Sequence, residues 1–326
     1  MRIRKRQLLW LNLFVIAMMA SAQAQRIPEQ VAQQDIPVEI IKIDTNLVVL
    51  RIAVSDQQGR AATNLRQEAF KVFEDGIEQQ VSFFSAEESP VSWSLVLDRS
   101  GSMMDMMSDV YDAALHVIDG GTAHDETSII TFNKRPELVI DFSSDRHRLE
   151  NSILGLRAEG ETSLFDAVEF ALDRLRSGKH RKKVVVVVTD GEDNASRLKF
   201  RELIGRAEEE EAVIYTVGMF GSMGNRLGVM GMARYDRNAR AELKKLAEVT
   251  GGSSHFPNNV DECKSVMKEI AREVGHQYSL GYYPLNKERN GNWRSIKVPV
   301  TRTGNSGQLI ARTRTGYYAR KPQQPN

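Results

Sequence analysis

Residues 184–191 of the chain read VVVVVTDG, five consecutive valines that run into a polar turn. A strand without alternation of polar and apolar residues buries both of its faces, as a central strand of a parallel sheet does. A second apolar run, residues 93–97, ends in the same way at Asp98. Around these runs, strand and helix patterns alternate from residue 91 to residue 275. The alternation predicts an α/β fold with a doubly wound, mostly parallel sheet.

The elements of this predicted sheet follow from the periodicity of apolar residues. We place strands at 91–97, 127–133, 137–142, 183–189, 212–218 and 253–256. We place helices at 103–119, 145–155, 164–176, 197–210, 239–249 and 259–274. The segment 219–238 is rich in Gly and Met and has no clear period, so we expect an inserted loop there, either a mobile lid or a surface excursion.

The segments on both sides of this region have the sequence patterns of β-strands. In residues 38–90, the pair Asp75-Gly76 separates strand candidates at 70–73 and 77–84, which is a strong hairpin signal. Residues 276–320 hold further strand candidates at 278–283, 293–300 and 316–319. Because the ends of a domain often lie close together, we predict that the two flanks pair as one small antiparallel β-sandwich.

The amino terminus has the pattern of a secretory signal over residues 1–24. Four basic residues precede the apolar stretch 8–20, and Ala22-Gln23-Ala24 forms a cleavage motif. A retained anchor is the alternative, although the stretch is short for a membrane span. Cleavage would leave a loose leader at 25–37 and no later membrane span, and place the protein in the periplasm, on the cell surface or in the medium. We expect disorder at 321–326.

Charge and cysteine content exclude several classes of protein. The chain has 44 basic and 43 acidic residues, and removal of residues 1–24 leaves 40 basic and 43 acidic residues. A nucleic-acid-binding protein normally shows a basic excess, so we predict no nucleic-acid partner. Cys263 is the only cysteine, which rules out an intramolecular disulfide, and its helical spacing with apolar neighbours predicts a buried thiol.

Oxygen-bearing side chains gather at the predicted strand ends. Asp98, Ser100 and Ser102 form a D-x-S-x-S turn after one apolar run, and Asp190 follows the valine run. Thr162 opens a predicted helix whose loop can reach the same edge, which is where ligands bind in open α/β sheets. Two carboxylates and three hydroxyls suit a hard divalent cation, Mg²⁺ in the first place, with Mn²⁺ or Ca²⁺ as alternatives. A vestigial site in which these residues only cap helices is the alternative reading.

With these residues in order, residues 91–275 resemble a von Willebrand factor type A (VWA) domain with a metal-ion-dependent adhesion site (MIDAS). The resemblance implies that Ser100 and Ser102 bind the metal directly, and Thr162 in the ligand-competent state. Asp98 and Asp190 would act largely through water. It also implies a mostly parallel sheet wrapped by helices, with residues 137–142 as an antiparallel edge strand. The flanking segments 73–76, 278–283 and 314–318 resemble those of secreted bacterial VWA-related proteins.

Three neighbouring acids have less certain roles. Asp105, Glu192 and Asp193 lie near the ligand set in sequence. We expect them to belong to the solvated surface; the alternatives are that they tune the charge of the site or form a second cation site. Asn194-Ala195-Ser196 matches a glycosylation sequon, which we treat as a chance occurrence.

The predicted function is that of an exported binding or adhesion module. It would use the cation to capture an acidic residue of a protein partner. The alternative is a structural scaffold, or an accessory subunit of an envelope complex, in which the metal only stabilises the fold. We predict no enzymatic activity, because the sequence lacks H-E-x-x-H, G-x-S-x-G and Walker-type motifs and shows no clear general base.

Overall fold

The computed structural model describes residues 47–86, 88–220, 230–301, 308–319 and 321. All of them belong to one compact unit that extends from Asn46 to Asn326. The predicted signal sequence, the leader and the tail after residue 321 lie outside the described residues.

We number the strands and helices of the described residues in chain order. The strands are β1 (Val48–Ser55), β2 (Val72–Glu74), β3 (Ile77–Gln79), β4 (Val81–Ser85), β5 (Val91–Asp98), β6 (Glu126–Phe132), β7 (Pro136–Ser143), β8 (Lys182–Thr189), β9 (Val213–Gly218), β10 (Ser254–His255), β11 (Tyr278–Tyr282), β12 (Trp293–Lys297), β13 (Ile310–Arg312) and β14 (Gly316–Tyr318). The α-helices are α1 (Met107–Gly120), α2 (Arg146–Ile153), α3 (Leu164–Leu175), α4 (Phe200–Glu209), α5 (Met230–Thr250) and α6 (Val260–Gly275), and short 3₁₀ helices span Gln67–Ala69 and Gly101–Met106.

The central sheet has six strands in the order β10-β9-β8-β5-β6-β7. Each neighbouring pair is parallel except β6 and β7, which are antiparallel. The predicted doubly wound, mostly parallel sheet is therefore confirmed. The edge strand expected at 137–142 is β7, and it runs antiparallel as the resemblance implied.

The valine run lies at the centre of this sheet and contacts both helical layers. Val184, Val186 and Val188 belong to one core cluster, which also contains side chains of helices α1 and α6. Val185 and Val187 belong to a second cluster on the other face, with side chains of α3, α4 and α5. Because alternate residues of a strand face opposite ways, five unbroken apolar residues supply both layers.

The helices match the predicted positions with two differences. The helix expected at 103–119 begins as the 3₁₀ helix Gly101–Met106 and becomes α-helical at Met107. The inserted loop expected over 219–238 is wrong for residues 230–238, because α5 already begins at Met230. Strong helix formers such as Ala, Arg and Met extend that helix although no apolar period marks it. Residues 221–229 of the same prediction lie outside the described residues.

The flanking strands form two four-stranded antiparallel sheets, β13-β1-β11-β4 and β14-β12-β2-β3. In the first, Leu50 pairs with Leu280, and in the second, Ile296 pairs with Glu74. Apolar side chains from both sheets share one core cluster, so the sheets pack face to face. The predicted sandwich, built from strands before and after the α/β region, is confirmed.

Some details of this sandwich differ from the prediction. Asp75 and Gly76 adopt φ angles of 48° and 82°, and they join β2 to β3 in the expected hairpin. The strand expected at 77–84, however, is interrupted at Gln80, because β3 and β4 belong to different sheets. Chain crossings of this kind form the corners of sandwiches. Strand β13 was not anticipated.

A buried ion pair in the second sheet anchors a hydrogen-bond network that reaches the first sheet. Glu74 and Arg294 are 2% and 4% exposed, and Arg294 Nη1 donates to Glu74 Oε1 over 3.0 Å. The hydroxyls of Tyr282 and Tyr317 donate to Glu74 Oε2 over 2.7 and 2.8 Å. Burial and the nearby carboxylate of Glu74 raise the pKa of Tyr317 to about 12. Since Tyr282 lies in the first sheet and the other three residues in the second, the network fixes how the sheets face each other.

The predicted burial of the single cysteine is confirmed. Cys263 is 1% exposed in the core, and burial raises the pKa of its thiol to about 11. No helix in the described part of the chain combines the length and apolar character needed to cross a membrane.

Removal of one partner of the Glu74–Arg294 pair should strongly destabilise the protein. We expect Arg294→Met to lower the free energy of unfolding by about 3–5 kcal/mol, because it leaves a buried carboxylate without its cation. The matched control is Lys71→Met. Lys71 pairs with Glu78 over 3.1 Å, but the two side chains are 61% and 53% exposed. Its loss should cost less than about 1 kcal/mol. Urea unfolding measures the free energy of unfolding of both variants. Equal losses would contradict the claim that burial makes the Glu74–Arg294 pair important.

Candidate metal centre

The predicted ligands meet at the carboxyl edge of the central sheet. Asp98 is the last residue of β5, and Asp190 follows the last residue of β8, which is the parallel neighbour of β5. Thr162 lies two residues before helix α3, in a loop tied to the first turn by backbone bonds. Gly101 N donates to Gly160 O over 2.9 Å. The three segments that are distant in sequence therefore converge as expected.

The D-x-S-x-S turn is held by its own polar groups. Ser100 N donates to Asp98 Oδ1 over 2.8 Å, and the hydroxyl oxygens of Ser100 and Ser102 lie 3.1 Å apart. Asp98 and Ser100 are buried, whereas Ser102 is exposed. The turn therefore runs from a buried position at the end of β5 to the surface of the protein.

Asp98 is a fully buried carboxylate beside a second acid. Thr189 Oγ1 donates to Asp98 Oδ2 over 2.6 Å and accepts a bond from Gly191 N over 3.0 Å. Burial, followed by the neighbouring Asp190, raises the pKa of Asp98 to about 7. Two carboxylates that disfavour each other's charge in this way favour a cation between them.

Asp190 occupies the adjacent turn. Burial raises its pKa, and the nearby hydroxyl of Ser102 opposes that shift. Ser102 of the first loop therefore lies close to Asp190 of the third. Gly191 has a φ of 82°, and a Cβ there would lie 3.0 Å from the Cβ of Ala239, so the turn after Asp190 requires glycine.

Thr162 is buried, and its backbone is held by residues that follow Asp190. Thr162 N donates to Asn194 Oδ1 over 2.8 Å, and its carbonyl accepts bonds from the amides of Asn194 and Ala195. The sequence analysis missed Asn194, which it treated only as a chance sequon. The role of Thr189 as a hydrogen-bond partner of Asp98 was also not predicted. Its position next to Asp190 in the sequence could have indicated that role.

Of the neighbouring acids, Asp193 and Glu192 accept hydrogen bonds, and Asp105 is exposed. Asp193 Oδ1 accepts bonds from Phe165 N and from the hydroxyl of Ser196, so Asp193 caps helix α3. The expectation that Asp193 is solvated surface is therefore wrong. Glu192 accepts a bond from Asn194 Nδ2 over 3.1 Å, and Asp105 is exposed.

The residues present fit a hard dication. Asp98 and Asp190 nearly cancel its charge, and the hydroxyls of Ser100, Ser102 and Thr162 can fill positions without adding charge. The described residues contain no group of three or more His, Cys, Asp or Glu side chains arranged to hold a metal. A cation bound to these five residues would also remove the repulsion between the two carboxylates.

Residues 94–192, which include all five candidate ligands, match the model of the von Willebrand factor type A domain. Residues 94–192 therefore belong to a VWA domain. The sequence expectation for the family is thus confirmed at the level of the domain.

Several known proteins are similar to this chain. An uncharacterized protein of Synechocystis sp. is 32% identical over 195 residues, which cover 57% of this chain and 42% of that protein. The chain therefore spans less than half of that relative's length. A von Willebrand factor type A structure from Catenulispora acidiphila has a TM-score of 0.49 and 13% identity, and the match covers 85% of this chain and 74% of that one. Proximal thread matrix protein 1 from mussel byssus, with a zinc-occupied MIDAS motif, has a TM-score of 0.45 and 16% identity over 60% and 48% of the two chains.

The bond from Thr189 to Asp98 should stabilise the VWA domain. Thr189→Val removes a donor from a buried carboxylate, and we expect it to lower the free energy of unfolding by about 1–3 kcal/mol. Thr131→Val is the matched control in a neighbouring strand. The Thr131 hydroxyl is buried and has no hydrogen-bond partner among the described residues, so its removal should cost nothing. Thermal unfolding in EDTA compares the two, and a larger loss from Thr131→Val would contradict the assignment.

Proposed function

We propose that this chain is an exported, non-enzymatic binding module that captures an acidic residue of a protein partner through a divalent cation. The cation, Mg²⁺ in the first place, would be held by Asp98, Ser100, Ser102, Thr162 and Asp190. The observation that supports this most directly is the convergence of two carboxylates and three hydroxyls, from three separate loops, on one edge of the sheet.

The candidate ligands range from buried to exposed, which suits capture of a partner's carboxylate at the protein surface. Asp98 lies at the floor with no exposed surface, whereas Ser102 on the same turn is exposed. A cation above Asp98 would therefore lie at the protein surface. Mg²⁺ prefers six oxygen ligands and retains water readily, so one position remains for a carboxylate supplied by a partner.

The charge of the set supports the same function. Two carboxylates neutralise the dication without giving the site an excess of negative charge, and the hydroxyls are neutral. An incoming carboxylate therefore meets a centre that remains electrophilic. Export is supported by the sequence of residues 1–24, and the absence of an enzymatic role by the lack of recognised catalytic motifs.

Metal binding and apo stability should respond in different ways to Asp98→Asn. We expect saturable binding of Mg²⁺ and Mn²⁺ by the metal-stripped wild type and loss of that binding in the variant, measured by titration calorimetry. In EDTA the variant should remain folded, because the loss of a buried charge beside Asp190 offsets the loss of one hydrogen-bond acceptor. Asp105→Asn, in an exposed neighbour, should bind metal normally. Equal metal affinity of Asp98→Asn and wild type would contradict the proposed site.

A carboxylate probe separates capture from a purely structural metal. In Mn²⁺-loaded protein, acetate should displace a metal-bound water and lower the relaxation rate of solvent protons, whereas the neutral acetamide should not. Mn²⁺ that stabilises the fold while acetate has no effect would instead support the scaffold function. The experiment needs no knowledge of the natural partner.

A further inference from the structure

Thr162 has both of its backbone polar groups bonded to a single short segment. Its N–H donates to the side-chain oxygen of Asn194 over 2.8 Å. Its carbonyl accepts two bonds, each of 3.0 Å, from the amides of Asn194 and Ala195. The backbone of a candidate ligand is thus fixed by residues from another loop.

The side chain of Asn194 is itself oriented. Asn194 Nδ2 donates to Glu192 Oε1 over 3.1 Å, which leaves Oδ1 directed at Thr162. Glu192 is the second residue after Asp190, and its own amide donates to Asp190 Oδ1 over 3.2 Å. A continuous chain of hydrogen bonds therefore runs from one candidate ligand to another.

Residues 193–196, which include Asn194, also form hydrogen bonds with the start of helix α3. The N-cap residue Ser163 makes no side-chain capping bond, and Asp193 from the other loop accepts the bond of Phe165 N instead. The hydroxyl of Ser196 accepts a bond from Asp166 N over 3.1 Å. These bonds hold the helix, and they do not involve Thr162.

We propose that Asn194 is a positioning residue of the metal centre. It sets the hydroxyl of Thr162 relative to Asp190, so that these two ligands move as one unit. The inference rests on the proposed metal site and adds a residue that does not touch the metal. Partners of this kind orient ligands, and their loss commonly weakens metal binding by about 10–100-fold.

A double-mutant cycle tests this role by Mn²⁺ titration. Asn194→Ala should weaken Mn²⁺ binding about tenfold. In a Thr162→Ala background, which keeps the backbone bonds but removes the hydroxyl, Asn194→Ala should weaken binding no further. Ser196→Ala, which loosens the same segment only from helix α3, should leave the affinity unchanged. Equal losses in both backgrounds, or no loss from Asn194→Ala, would overturn the inference.

A charge-preserving exchange supplies a rescue. Asn194→Asp combined with Glu192→Gln keeps an acceptor for Thr162 N, a bond between residues 192 and 194, and the total charge of the pair. It should recover most of the affinity lost in Asn194→Ala. Affinity as low as that of Asn194→Ala would count against the positioning role.

Hydrogen exchange in EDTA separates the failure of this inference from the failure of the metal site. The Thr162 amide should be protected in the wild type and lose protection in Asn194→Ala. Unchanged protection would overturn the inference even if metal binds. Absence of Mn²⁺ binding by the wild type would instead overturn the proposed function, and with it the role of Asn194 in a metal centre.

Discussion

Burial of strands β5 and β8 on both faces is the constraint on which the rest of the α/β region depends. Every residue of β5 is buried, and so is every residue of β8 except Lys183. Between Lys183 and the carboxyl end of β8, and in β5 before Asp98, neither strand has a charged side chain, and both need helices on both faces. Charged ligands become possible only where the two strands end. Asp98 and Asp190 follow this rule, and because the strands are parallel neighbours, their ends bring the two carboxylates together.

The sandwich is joined to the α/β region by a second polar network. The hydroxyl of Tyr215 in β9 donates to Glu273 in α6 over 2.7 Å, and Gln277 Nε2 donates to that hydroxyl over 2.9 Å. Arg312 in β13 forms an ion pair with the same carboxylate of Glu273. Burial, followed by the charge of Glu273, raises the pKa of Tyr215. The last helix of the α/β region is thus bonded to a strand of the sandwich, which restricts the independent movement of either part.

Most of the α/β region could be predicted because its apolar patterns are long and local. Residues 184–188 leave no alternative to a central strand, and the D-x-S-x-S turn stands at the end of another. The start of α5 at Met230 escaped prediction, since Gly and Met give no period to read. The break at Gln80 also escaped, because it depends on which sheet each half of the segment joins. Asn194 could not be assigned from sequence, since its partner Thr162 lies 32 residues away.

The pairing of β1 with β11 has a consequence for the order in which the chain is made and folded. Residues 50 and 280 are paired although the whole α/β region separates them. On a ribosome, β1 to β4 emerge first, but the first sheet lacks its central strand β11 until the VWA domain has been synthesised. The α/β region can fold in the meantime, which brings the two ends of the sandwich together and lowers the entropy lost on closure. Until then, strands β1 and β4 present open edges that can pair with other chains. The strand order of the sandwich therefore delays its completion until both flanks of the α/β region have been synthesised.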